Sequence, residues 1–326
     1  MTKVDLITGI LGSGKTTFLR LYAQYLIRSG QRIAILENDF GAVNVDMLLL
    51  QDLKSDHCQL EMITGGGDPD CHKRRFKTQM IALGMQHFDR ILIEPSGIYD
   101  MDEFFDTLYE SPLDRWFEIG SILTILDGSL DIPLSEQMEY LFASEAAYSG
   151  RLLVSKLTPE QLRVPQERTD VLLSYLNEAL ERIRCDRRFT QEDLLVCDWN
   201  ALQDETFHAL SAAGYRGASY VKRFSPEMIR SHVHYFMHIR LPEDRIRPIL
   251  EGILRDPECG TIFRIKGSLP DAHGGWYKVN ITPLQTELSP VPDGQAVLII
   301  IGEDMQPEAL DRHLRAENAD PEYVFV

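Results

Sequence analysis

The chain has 326 residues, of which 44% are hydrophobic, and a formal net charge of −17. That length is generous for a single core and suits two domains. The acidity argues against sequence-independent nucleic-acid binding and against docking on anionic membranes, since both need clustered Lys and Arg. Five cysteines, an odd number without framework spacing, point to a reducing cytosol rather than a disulfide scaffold. The longest apolar run, 296–301, is too short to cross a bilayer. The first strand-like run begins almost at once, so no signal peptide is expected and a cytoplasmic location is.

Taken in chain order, apolar strand-like runs fall at 3–8, 32–37, 60–63, 90–94, 119–126 and 151–154. Helical periodicity falls between and after them, at 16–29, 74–87, 101–109, 135–147, 166–183 and 204–213. Continuous apolar strands alternating with helices predict a mostly parallel, doubly wound α/β sheet, with ligands at the carboxyl ends of its strands. The pattern changes after Gly214, Gly217 and the break at Phe224-Ser225-Pro226. Strands are then expected at 231–241, 261–268, 276–287 and 295–302, with helices at 243–254 and 307–317. Adjacent strands of this kind predict a smaller α+β domain. The expected division is a nucleotide-binding domain at 1–222 and a C-terminal domain at 223–326.

The most informative stretch is residues 9–17, GILGSGKTT. A strand precedes it and a helix follows, the context required for the phosphate-binding pattern G-x-x-x-x-G-K-[ST]. Gly9, Gly12 and Gly14 let the backbone curl around a phosphate, and the amides of Ser13 and Thr17 belong to the same cradle. Lys15 is expected to reach the β- and γ-phosphates and Thr16 to ligate Mg²⁺. Both side chains are expected in an exposed loop.

Three further segments lie at expected strand ends. Glu37-Asn38-Asp39 follows the second strand, where Glu37 or Asp39 is expected to hold Mg²⁺ directly or through water; an ordinary acidic turn is the plain alternative. Glu94-Pro95-Ser96-Gly97 resembles the acid-x-x-glycine of a GTPase second switch, with Glu94 on the metal waters and Gly97 sensing the γ-phosphate. Ser155-Lys156-Leu157-Thr158 stands where GTPases carry Asn-Lys-x-Asp. Lys156 is retained, but a threonine cannot replace the aspartate's charged bidentate contact with guanine, which weakens the case for strict GTP selection over ATP.

Together these segments resemble the CobW-like family of P-loop GTPases, relatives of the UreG and HypB nickel chaperones. The resemblance rests on GILGSGKTT, ENDFGAVNVD, IEPSG and SKLT, and in the second domain on FRIKG, Trp276 and Ile300-Ile301-Gly302. It implies GTP hydrolysis coupled to delivery of a metal or metallocofactor to a client protein, often with a homodimer or partner completing the site. The family's Gly-Cys-x-Cys-Cys motif is replaced here by Gly65-Gly66-Gly67-Asp68-Pro69-Asp70-Cys71-His72. Two readings of that segment stay open. Asp68 and Pro69 start a helix, or Asp68, Cys71 and His72 share a face that takes Zn²⁺, Co²⁺ or Ni²⁺. His232, His234 and His238 alternate along an expected strand, which suits either a metal or a solvated face. Two alternatives to the hydrolysing switch remain: a nucleotide-gated binding module with little turnover, and an ATP-using relative.

Overall fold

The computed structural model describes residues 1–38, 49–63, 69–96, 101–224, 233–283, 286–291 and 293–325. The described residues up to 224 form one compact unit, and those from 233 onward form another.

The first unit contains strands β1 (Thr2–Thr8), β2 (Ile33–Asn38), β3 (Cys58–Ile63), β4 (Arg90–Pro95), β5 (Phe117–Asp127), β6 (Arg151–Ser155) and β7 (Leu194–Val196). They form one sheet in the order β3-β2-β4-β1-β5-β6-β7. Every pairing in it is parallel. Helices α1 (Lys15–Arg28), α2 (Pro69–Gly84), α3 (Met101–Tyr109), α4 (Leu113–Trp116), α5 (Glu136–Ala146), α6 (Pro159–Arg163), α7 (Gln166–Arg182) and α8 (Asp204–Ser211) connect or follow the strands. Strands β2 and β4 are buried at every residue, as a sheet covered on both faces requires. Because β1 lies between β4 and β5, the chain runs outward in both directions from it, and its carboxyl end is the topological switch point.

The sequence pattern missed β7, whose three residues are too few to show a period. Helix α2 begins at Pro69, five residues before its periodicity becomes visible, because proline's fixed φ suits a first helical turn. Beneath the switch point, Asp5 on β1 is fully buried. Its Oδ1 accepts the Ser121 N–H at 2.7 Å, and its Oδ2 accepts from Arg90 Nη1 at 2.5 Å and Tyr22 Oη at 2.7 Å.

The second unit holds β8 (Val233–Met237), β9 (Thr261–Pro270), β10 (Trp276–Ile281), β11 (Thr286–Val291), β12 (Val297–Glu303) and β13 (Val324–Phe325), with helices α9 (Glu243–Arg255) and α10 (Pro307–Arg315). The sheet order is β11-β10-β9-β12-β8-β13, antiparallel throughout. Its core gathers Phe236, Ile246, Leu250, Ile265, Leu298 and Leu310. The single strand expected at 276–287 is two, β10 and β11, paired as a hairpin with Pro283 in the connection. Proline has no N–H to continue a ladder. The histidine alternation is also corrected. His232 lies outside the described residues, His234 packs against the Phe325 ring at 5.5 Å, and His238 leaves the strand with φ +53°. Among the described residues, no helix is long and apolar enough to cross a membrane.

Candidate functional site

The loop between β1 and α1 has the backbone its glycines were expected to allow. Gly9, Gly12 and Gly14 have φ of +134°, +83° and +106°, values that L-residues rarely adopt. A Cβ on Gly9 would also sit 2.5 Å from the Ile125 carbonyl oxygen. Lys15 Nζ donates to the Gly9 carbonyl at 2.7 Å, which holds the ammonium over the loop. Lys15 and Thr16 are only 5% and 9% exposed, so the expectation of exposed side chains is corrected. They begin α1, and the helix buries them against the sheet's carboxyl edge.

Thr16 Oγ1 donates to Glu94 Oε1 at 2.9 Å. Glu94 on β4 pairs in register with Glu37 on β2, so two carboxylates occupy neighbouring positions on adjacent parallel strands. Both are buried. Two adjacent buried acids beside a hydroxyl form an all-oxygen donor set of negative charge, which suits a hard divalent cation such as Mg²⁺. Close by, Ser13 Oγ and both amide atoms of Asn38 are buried with no hydrogen-bond partner, as expected of groups arranged for a polar ligand. Asp39 and Gly97 lie outside the described residues.

Sequence reasoning missed Glu145 on α5. Its Oε2 accepts the Gly9 N–H at 2.6 Å, directly beneath the phosphate loop. Burial pushes this carboxyl up to about 7, while the Lys15 ammonium and the Gly9 N–H pull the other way. Its Oε1 has no hydrogen-bond partner. The available signal was a lone acid in the apolar and small-residue run Leu141-Phe142-Ala143-Ser144-Glu145-Ala146-Ala147.

On the other side of the loop, Ser155 Oγ donates to the Ser13 carbonyl at 2.6 Å and to Leu126 O at 3.3 Å. Lys156 has φ +53°, and its Nζ pairs with Asp127 Oδ2 at 2.5 Å. Thr158 caps α6: its Oγ1 accepts the Gln161 N–H at 3.2 Å, and Gln161 Oε1 accepts the Thr158 N–H at 2.9 Å. Both hydroxyls standing in for Asn and Asp are thus engaged in the protein's own hydrogen bonds. Trp199, just past the unforeseen β7, lies edge-on to Phe18 at 5.5 Å between centroids. Its ring would be 3.6 Å from a Cβ on Gly14, and its buried Nε1 has no partner.

At the start of α2, Cys71 is half-buried and His72 buried, with His72 Nδ1 3.3 Å from Glu103 Oε1 on α3. Asp68 lies outside the described residues, so the structure describes two of the three suggested transition-metal ligands.

The family pattern described as CobW/HypB/UreG, nucleotide-binding domain, matches residues 3–184, more than half of the chain. The chain belongs to this family. It is 30% identical over 164 residues to the zinc chaperone YjiA of Escherichia coli, covering 47% of this chain and 48% of that protein. It is 32% identical over 165 residues to the zinc chaperone YeiR of the same organism, covering 49% of each. The matched stretch thus spans about half the length of these curated relatives. Among solved structures, the Zn(II)-bound YjiA GTPase of E. coli superimposes with a TM-score of 0.35 at 17% identity, covering 97% of this chain and 99% of that one.

Proposed function

We propose that this protein is a P-loop nucleoside triphosphatase switch that hydrolyses GTP and, less selectively than a typical GTPase, ATP. Its output is the delivery of a transition metal (Zn²⁺, Co²⁺ or Ni²⁺) or a metallocofactor to a client protein in the cytoplasm. The observation that carries the reading is the Thr16–Glu94 hydrogen bond beside Glu37, at the foot of a glycine loop with Lys15 held over it. Lys15 and the loop amides would absorb charge on the γ-phosphate, while Thr16, Glu37 and Glu94, with Asp39, would hold Mg²⁺ and its waters. Bound Mg²⁺ would supply neutralisation of the phosphate oxygens. Gly97 is proposed to sense the γ-phosphate. Lys156, flanked by Ser155 and Thr158, is proposed to line the base, and the two engaged hydroxyls support relaxed base selection. Cys71 and His72, with Asp68 or Glu103, remain the proposed contact for transferred metal in this domain. The names of the two relatives described above, zinc chaperones, support a zinc cargo. Binding of labelled GTP with and without Mg²⁺, followed by single-turnover hydrolysis, tests the proposal. Parent protein that neither binds nor turns over Mg²⁺-GTP or Mg²⁺-ATP would end it.

A further inference from the structure

We propose that Asp256, Cys259 and His313 form a second binding site, in the C-terminal unit, for a thiophilic divalent transition metal of the Zn²⁺ class. One ligand atom from each of the three lies within 4.8 Å of the other two. The local chain explains why they meet. Helix α9 ends at Arg255, and Asp256 caps a 3-10 turn, Pro257–Cys259, through Oδ1, which accepts the Glu258 N–H at 2.9 Å. That leaves Oδ2 for His313, whose Nε2 lies 2.7 Å away. The Cys259 N–H closes the turn on the Asp256 carbonyl at 3.0 Å, and its side chain is fully buried. Gly260 then reverses the chain with φ +90°, where a Cβ would meet the Asp304 carbonyl at 2.5 Å. The Cys259 carbonyl accepts the Gln306 N–H, at the start of α10, and two turns along that helix stands His313.

The donor set of thiolate, imidazole and carboxylate is that of a zinc site. Zn–S near 2.3 Å and Zn–N or Zn–O near 2.0–2.1 Å place ligand atoms about 3.3–3.6 Å apart around a tetrahedral ion. To reach that geometry the His313–Asp256 contact, now 2.7 Å, opens by roughly half an ångström as the ion replaces the shared proton, and the Cys259 sulfur, within 4.8 Å of both partners, closes to about 3.6 Å. The Cys259 thiol releases its proton to solvent as the metal–sulfur bond forms, so one thiolate, one imidazole and one carboxylate hold the ion. Asp256 and His313 are 28% and 34% exposed and give the ion a way in, while the thiol forms the floor. Three protein ligands leave a fourth position open, the arrangement of a site that exchanges its ligand or passes its metal on. The site is independent of the nucleotide reading, because it stands on residues of the other unit.

The test is Co²⁺ titration of the full chain carrying Cys71→Ser, followed by sulfur-to-cobalt charge-transfer absorption and by Zn²⁺ competition. Retained charge-transfer intensity is expected in that protein, with its loss on adding Cys259→Ser. Because Cys259 is a core residue, His313→Ala and Asp256→Asn are read in parallel at half-exposed positions. Each is expected to weaken Co²⁺ binding by tenfold or more, with an unchanged circular dichroism spectrum. Co²⁺ binding of parent affinity in both of these variants, or an undiminished charge-transfer band after Cys259→Ser, would overturn the proposal.

Discussion

Two clusters of buried polar groups occupy the same parallel sheet and differ in how they are satisfied. Around Asp5, both carboxylate oxygens receive donors from a strand, a helix and a backbone amide. At the carboxyl edge, Ser13, Asn38 and Glu145 keep buried polar atoms with no partner, and Glu37 and Glu94 stand side by side. A network of the first kind, closed around its carboxylate although the buried Arg90 Nε has no partner, serves folding, because the desolvation of both carboxylate oxygens is met inside the chain. An open one of the second kind costs stability and makes sense when something outside the chain completes it. The sheet therefore separates scaffold from site along the length of its own strands.

The largest expected effect is on the closed cluster. Asp5→Ala strands a buried arginine, and urea unfolding should show a loss of about 3–5 kcal/mol. A loss below about 1 kcal/mol would mean that the Arg90 guanidinium is solvated by another route. The next effect lies at the open cluster. Lys15→Ala removes the cation held over the loop, and affinity for Mg²⁺-GTP should fall at least about a hundredfold, or about 3 kcal/mol. Calorimetric titration reads it, and parent-like binding would remove the loop from the proposed function.

Glu145 tests the comparison through pH. Its folded pKa, about 7, stands above the ordinary 4.5 of the free side chain. Between those values the folded protein keeps a proton that the unfolded chain has released. Stability from this group therefore falls as pH rises from about 4.5 to about 7, and is level above that. Glu145→Gln keeps an acceptor for the Gly9 N–H and should flatten this slope. At neutral pH it should raise stability of the nucleotide-free protein by about 2–4 kcal/mol. Identical pH profiles for variant and parent would show that the carboxyl is not held in its neutral form. The smallest effect concerns the base. Thr158→Asp keeps a good helix cap and adds a carboxylate, so the preference for GTP over ATP should sharpen about tenfold, or 1.4 kcal/mol. Competition of labelled GTP by ATP reads it; an unchanged ratio would mean that the base lies elsewhere.

Much of the fold was legible because β2 and β4 are near-continuous apolar runs, β1 keeps Val4, Leu6 and Ile7 around Asp5, and a glycine or an acid marks each carboxyl end. Lys15, Thr16, Glu37 and Glu94 were legible for the same reason: strand ends converge in a parallel sheet, so acids at strand ends meet there. Glu145 was not, since it sits within a helix and joins the loop across 136 positions of sequence. Cys259 and His313 were hidden likewise, brought together only when α10 folds against the turn after α9. Trp199 follows a strand too short to carry a period, and the helix-capping role of Thr158 shows only once its partner Gln161 is in place.

The loop's two ends are fastened to one short stretch of chain. Gly9 is held by Glu145 and Ser13 by Ser155, so residues 145–155 grip the cradle from below and from the side. A free loop would lose about 1–2 kcal/mol of backbone entropy per residue on closing around a phosphate. Here that ordering is completed when the domain folds, and an arriving triphosphate meets a cradle already shaped. The same fastening makes the cradle a lever. A ligand that shifts Gly9 or Ser13 pulls on α5 and β6 together, and through β6 on Lys156.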